Sequence, residues 1–190
     1  SIYDDETFLE EALLLTNWYM PLFGEDASIA TAKKNYKLVW QKLLPLCRRM
    51  TNTLVFRDFH ADNLMWLPGR TGIASCGLLD YQDAVFGPPV YDLVSSLEDA
   101  RRDIKPSLVE HLQSRYLSAF SRLDPDVFRR IFVILAAQRH CKVIGIFTRL
   151  AVRDGNKVYL SHIPRVWRLL EAACLSPILV PLKEWLDQFI

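Results

Sequence analysis

From Asp5 to Tyr19 the apolar residues Phe8, Leu9, Ala12, Leu13, Leu15 and Trp18 recur at three- and four-residue steps behind the acidic run Asp4, Asp5 and Glu6. That spacing predicts a helix, ended at Met20-Pro21. Phe23-Gly24-Glu25-Asp26 reads as a turn. A second helix is expected over Ser28 to Met50, with Tyr36, Val39, Trp40, Leu43, Leu44 and Cys47 as its apolar stripe and Pro45 bending or weakening it. At Thr53 the period changes. Leu54 to Phe56, Leu64 to Leu67 and Cys76 to Leu79 are short apolar runs of strand type, separated by the polar stretch Asp58 to Asn63 and by the turn Pro68-Gly69-Arg70-Thr71-Gly72. Gly87-Pro88-Pro89 implies an extended turn. Beyond it, helical patterns cover Val90 to Ile104, Pro106 to Leu123, Val127 to about Val152, Val158 to Cys174 and Leu179 to Phe189. Asp124-Pro125 marks the start of the third of these and Asp154-Gly155-Asn156 its end. Being apolar on most of its circumference, Val127 to Val152 is read as the buried central helix, interrupted only by Gln138-Arg139-His140 and Lys142. The fold class expected is mainly α with a few short β-strands, an α+β domain.

Composition narrows this little. The chain has 190 residues, is 51% hydrophobic and balances 23 basic against 22 acidic side chains, so it can fill a core and carries no single-sign field that would imply nucleic acid or an anionic membrane. Arg101-Arg102 and Arg129-Arg130 read as solvated helix faces. No apolar run reaches the length of a membrane span and the acidic N-terminus SIYDDETFLEE is not an export signal. Cys47, Cys76, Cys141 and Cys174 show no C-x-x-C spacing, which speaks against zinc, and fit a reducing cytoplasm, with Cys76 read as a core residue. The chain begins at Ser1, so residues upstream are expected to have been removed or left out.

The candidate chemistry sits where the period breaks. Two strand-like runs each deliver a carboxylate at their C-terminal end, Asp58 and Asp80, with Asn63 between them. A carboxylate at Asp58 can orient an acceptor hydroxyl and take its proton, while the amide oxygen of Asn63 and the carboxylate of Asp80 suit Mg²⁺, a hard cation whose shell the phosphates of a nucleotide complete. Asp83 reads as either site or loop. His60 is expected to brace the loop, and Asp92, at the start of a helix, to receive backbone donors from the segment bearing Asp58. Arg57 is read either as paired with a carboxylate or as exposed. A zinc or two-metal hydrolase site built on His60-Ala61-Asp62 is disfavoured, because the four histidines His60, His111, His140 and His162 do not cluster. Seven glycines include no G-x-G-x-x-G, and the first lysine, Lys33, falls inside a helical pattern. Both parts of a phosphate cradle are therefore missing, and the chain reads as one lobe of a two-lobed enzyme.

These residues resemble the aminoglycoside phosphotransferase family, which shares its fold with the protein kinases. The family's H-G-D-x-H-x-x-N loop matches Phe56-Arg57-Asp58-Phe59-His60-Ala61-Asp62-Asn63, with Phe56 replacing the first histidine. Its metal segment matches Leu78-Leu79-Asp80-Tyr81-Gln82-Asp83-Ala84 and Gly87-Pro88-Pro89-Val90-Tyr91-Asp92-Leu93. A closer likeness, through Leu79 to Ala84, Tyr91 to Ser95 and Gln138 to Phe147, is to the bacterial cell-wall amino-sugar kinases, which phosphorylate N-acetylmuramate and N-acetylglucosamine. The resemblance implies that residues 1–190 form a single helical C-terminal lobe of a kinase-like phosphotransferase, the N-terminal nucleotide lobe lying outside this chain. It implies ATP and Mg²⁺ as cofactors, a sugar or amino sugar as substrate, and no nucleic-acid or membrane partner. Met65 and Leu79 would floor the adenine site, and Trp18, Tyr19, Asp83 and Arg139 would touch substrate. The chain alone is expected to be inactive. Two alternatives stay open: an aminoglycoside-modifying resistance kinase, which would want an acidic cleft for a polycationic drug, and a catalytically silent kinase-like binding module.

Overall fold

The computed structural model describes residues 1–23 and 28–190; the turn expected over Phe23-Gly24-Glu25-Asp26 lies, beyond Phe23, outside them. Asp4 caps the first helix, α1 (Asp5–Ala12), by accepting from the Thr7 amide at 2.9 Å. The predicted single helix to Tyr19 is instead three pieces. After α1 the backbone widens into a π-helical turn, Leu15–Tyr19, and then tightens into a 3-10 turn, Met20–Phe23, so Met20-Pro21 changes the helix type without stopping it. Helix α2 (Ser28–Leu43) buries Ala32, Tyr36, Trp40 and Leu43 at three- and four-residue steps. Pro45 lies in the 3-10 turn that follows, Leu44–Arg49, where its missing N–H removes an α-helical bond.

Four short strands form two separate antiparallel pairs. β1 (Thr53–Val55) pairs with β4 (Val85–Gly87), in register Thr53 to Gly87 and Val55 to Val85. β2 (Leu64–Trp66) pairs with β3 (Cys76–Leu78), in register Leu64 to Leu78 and Trp66 to Cys76. The β4 strand corrects the expectation of a plain turn at Gly87-Pro88-Pro89. Gly87 belongs to the ladder, where a Cβ would come within 2.8 Å of the Tyr3 Cβ, and Pro89 sits at the N-cap of the next helix. Cys76 is also corrected: the β2–β3 pair has open faces, and this cysteine is exposed while Cys47, Cys141 and Cys174 are buried.

Helix α3 (Val90–Leu97) stops seven residues short of the predicted Ile104, and residues 99–103 form an irregular segment before α4 (Pro106–Ala119). The trunk of the fold is α5 (Pro125–Asp154). Asp124 caps it through the amides of Asp126 and Val127, and Gly155 at φ +71° ends it in the left-handed conformation that glycine adopts without a Cβ clash. By length and composition α5 could cross a membrane, but 89% of its most apolar 18-residue window is buried within the fold, packed against α1, the π-turn, α3 and the following helix. Helices α6 (Ile163–Ala173) and α7 (Val180–Phe189) close the core, the latter anchored by the Trp185 indole donating to the Ala32 carbonyl at 2.9 Å. Fully burying side chains such as Trp40, Tyr36, Phe128 and Leu135 stabilises the fold by about 1.5 to 3 kcal/mol each for aliphatic and phenyl groups.

Candidate active site

β1 leads into the loop that carries Asp58. Asp58 N–H bonds back to the Phe56 carbonyl at 2.8 Å, which forces Arg57 to φ +67°, a left-handed conformation unusual outside glycine. Two groups hold that turn. Asp92, in the first turn of α3, accepts from the amides of Phe56 at 2.7 Å and Arg57 at 2.9 Å, and Arg139 of α5 donates to the Arg57 carbonyl at 3.2 Å. Partial burial pushes the Asp92 carboxyl above its ordinary value, against the two amides that favour its charge. Asp80 likewise sits at φ +56°, two residues past the end of β3, with Gln82 donating to its carboxylate.

The three candidate groups are tied together through Asn63. Its Nδ2 donates to the Asp58 carbonyl at 2.9 Å, and its own carbonyl accepts from Leu79 N at 2.9 Å, beside Asp80. With Nδ2 committed to the loop, the side-chain oxygen of Asn63 remains as a neutral donor, and the main-chain bond to Leu79 ties it to the segment that carries the exposed Asp80. Such an oxygen-only pair fits a hard divalent cation that brings phosphate oxygens with it. Among the described residues no cluster of three or more His, Cys, Asp or Glu could hold a metal by itself.

Behind Asp58 lies a buried charged cluster. Arg139 stands 3.6 Å from the Asp58 carboxylate and donates to Tyr91 Oη at 3.4 Å. Glu11 of α1 receives Lys142 at 2.8 Å, Arg57 at 2.5 Å and the Tyr3 hydroxyl, with Gln138 at 3.5 Å. Burial raises the Asp58 carboxyl, but the cations Arg139 and Lys142, with Arg57, outweigh it and hold the group below its ordinary value. Glu11 is held low in the same way, with burial opposed first by Lys142. His60 is buried and lies 3.5 Å from an Arg101 nitrogen; burial, then Arg101, lowers its pKa, which leaves the ring neutral.

The remaining expected residues divide. Met65 and Leu79 are each 46% exposed and share one face of the β2–β3 pair, where Met65 opposes Gly77 and Leu79 lies two residues on. Asp83 is exposed in the turn before β4. Arg139 is buried, and its Nη1 faces the Arg57 carbonyl, Tyr91 Oη and the Asp58 carboxylate. Tyr19 packs on Trp167 and Phe23, and among the described residues no hydrogen bond, ion pair or ring contact joins it or Trp18 to the Asp58 loop. Arg101 and Arg102 are not a solvated helix face: they follow the end of α3, and Arg102 bridges Asp62 and Asp99. Glu11, Lys142 and Arg101 were not singled out from sequence. The polar run on the otherwise apolar α5 signalled a need for buried partners, but nothing marked Glu11 as the one.

The Asp58 loop is thus joined through Asn63 to the segment that carries Asp80, and the β2–β3 pair that follows Asn63 keeps Met65 and Leu79 exposed. The chain matches the phosphotransferase enzyme family over residues 3–129, and it belongs to that family. It is 35% identical over 188 residues to an N-acetylmuramate/N-acetylglucosamine kinase of Caulobacter vibrioides, covering 99% of this chain and 52% of that protein. It is 39% identical over 173 residues to a protein of the same name from Neisseria meningitidis, covering 86% and 49%, and 31% identical over 172 residues to one from Pseudomonas putida. The chain spans about half the length of the curated relatives it matches.

Proposed function

We propose that residues 1–190 are the helical C-terminal lobe of an ATP-dependent kinase that phosphorylates a hydroxyl of an amino sugar, acting in the cytoplasm where ATP is supplied. The observation that carries this reading is the hydrogen-bonded linkage of the Asp58 loop, Asn63 and the Asp80 segment, in a chain whose relatives are named as kinases of N-acetylmuramate and N-acetylglucosamine. Asn63 and Asp80 would hold Mg²⁺, which supplies charge neutralisation on the transferring phosphate. Met65 and Leu79 would support the adenine ring. Asp58, kept ionised by the cations behind it, would orient the acceptor hydroxyl; a carboxylate of lowered pKa suits that task, since a loose phosphoryl-transfer transition state needs little proton abstraction.

The aminoglycoside-modifying alternative fares less well, because the curated relatives are named as kinases of N-acetylmuramate and N-acetylglucosamine. The silent-module alternative would not need Asp58, Asn63 and Asp80 kept together. In the full-length protein Asp58→Asn is expected to retain nucleotide binding while lowering turnover of the amino sugar by about 10²-fold or more, the scale of a positioned acid-base group. Wild-type turnover in that variant removes Asp58 from the mechanism, and absence of amino-sugar phosphorylation by the wild-type protein ends the reading.

A further inference from the structure

Beside the Asp58 loop one guanidinium has hydrogen-bonding capacity to spare. The segment after α3 is stapled from several sides: Arg165 of α6 donates to the carbonyls of Asp99 at 3.1 Å and Arg102 at 2.5 Å and pairs with Asp103, while Asp99 accepts from the Arg101 amide at 2.8 Å. The backbone that presents Arg101 is therefore held in place. Its side chain is less committed. It approaches the His60 ring at 3.5 Å and the Asp62 carboxylate at 3.8 Å, the second beyond hydrogen-bond reach, and is 31% exposed. The two acids nearest to it, Asp62 and Asp99, are already bridged by Arg102. Of the five N–H donors of Arg101, most have no protein acceptor.

His60 connects this guanidinium to the reacting centre. The His60 amide donates to the Asp58 carbonyl at 3.0 Å, so the ring that Arg101 approaches belongs to the same tight loop as the carboxylate that would orient the acceptor. Being neutral, the His60 ring does not compete with Arg101 for an anion. The planar fork of arginine matches a carboxylate in a bidentate pair, and partial shielding makes such a pair stronger than it is in open water.

We propose that Arg101 is a specificity-determining residue that receives a carboxylate on the acceptor. The inference rests on the amino-sugar kinase reading above and deepens it. Of the two sugars in the relatives' names, N-acetylmuramate carries an acid on its lactyl ether and N-acetylglucosamine has only a hydroxyl at that position. Arg101 favours the first.

The test uses the full-length protein with Mg-ATP and three acceptors: N-acetylmuramate, its neutral carboxamide and N-acetylglucosamine. Arg101→Gln is expected to lower the ratio of kcat/KM for N-acetylmuramate to that for N-acetylglucosamine by about tenfold or more, mainly through KM, as loss of a charge-assisted bond predicts. Arg101→Lys should recover part of that ratio. The wild-type protein should prefer the acid over the carboxamide by a similar factor, and that comparison stands even if a variant fails to fold. A ratio within twofold of wild type in Arg101→Gln, or equal use of acid and carboxamide by the wild type, overturns the assignment to Arg101 while the kinase reading survives. If the wild type phosphorylates none of the three, both fall together.

Discussion

Removing the charge of Glu11 should destabilise the protein more than any other single isosteric change in it. Glu11 is only 11% exposed and is the anion shared by Lys142 at 2.8 Å and Arg57 at 2.5 Å, whose side chains are 6% and 27% exposed. Glu11→Gln keeps the volume and leaves two cations without their counter-ion, the Lys142 ammonium deep against Tyr91. Breaking a buried pair in this way costs about 3 to 5 kcal/mol. At about 2 to 4 °C per kcal/mol for a chain of this size, the melting temperature should fall by roughly 6 to 20 °C. Because the loss comes from an uncompensated charge and not from a cavity, Glu11→Gln combined with Lys142→Met should recover a large part of it. Thermal and urea unfolding of the wild type, the two single variants and the double variant form the cycle that measures this coupling. Additive losses, or a Glu11→Gln variant within about 1 kcal/mol of wild type, would refute the argument, since coupled neighbours are expected to deviate from additivity by more than ~0.5 kcal/mol.

Three further outcomes follow from the geometry. At Gly145 a Cβ would come within 2.5 Å of the Leu14 carbonyl oxygen and 2.6 Å of its Cβ, so Gly145→Ala should cost at least about 1 to 3 kcal/mol in chemical denaturation, the usual penalty of overpacking. Asp92→Asn leaves one of the amides of Phe56 and Arg57 facing a nitrogen; it should cost about 1 to 3 kcal/mol and, by loosening the turn at Arg57, lower kcat more than it changes nucleotide affinity. The pH dependence has a defined sign. His60, held below 6.5 by burial and Arg101, contributes stability that is complete above that value and lost as pH falls. Glu11 and Asp58, held below 4.5 and 3.8, contribute stability that is lost as pH falls through their folded values, with Asp92, raised above 3.8, opposing them. The urea midpoint should therefore be level above pH 7, decline below 6.5 and drop more steeply under 4.5, and His60→Asn should flatten the first decline.

What the sequence showed and what it hid follow from the range of the interactions. The ends of α5 were legible because Asp124, Pro125 and Gly155 act on their immediate neighbours. Asp58, Asn63 and Asp80 stood out as candidates because polar residues there follow or separate short apolar runs; the hydrogen bonds that join Asp58 to the Asp80 segment through Asn63 could not be read from that spacing. β4 was not legible, since a three-residue strand exists only by pairing with β1 some thirty residues earlier, and its Gly87 and the prolines after it carry turn chemistry. The single helix expected to Tyr19 gives way to a π-turn where Leu14 lies against Gly145, 131 positions away, a contact that no local pattern reveals. Arg101 and Arg102 looked like solvent-facing residues because the pattern ran the helix to Ile104; once α3 ends at Leu97 they swing to the Asp58 loop. The buried role of Arg139 and Lys142 could not be read without knowing that α1 lies across α5.

That crossing has a practical consequence. A dozen amino-terminal residues, easily mistaken for a dispensable leader when a boundary is drawn for expression, hold the counter-ion of Lys142 and Arg57 behind the Asp58 loop. Trimming the polypeptide between Ala12 and Leu13 would leave every motif of the signature intact on paper and yet remove the support from beneath it.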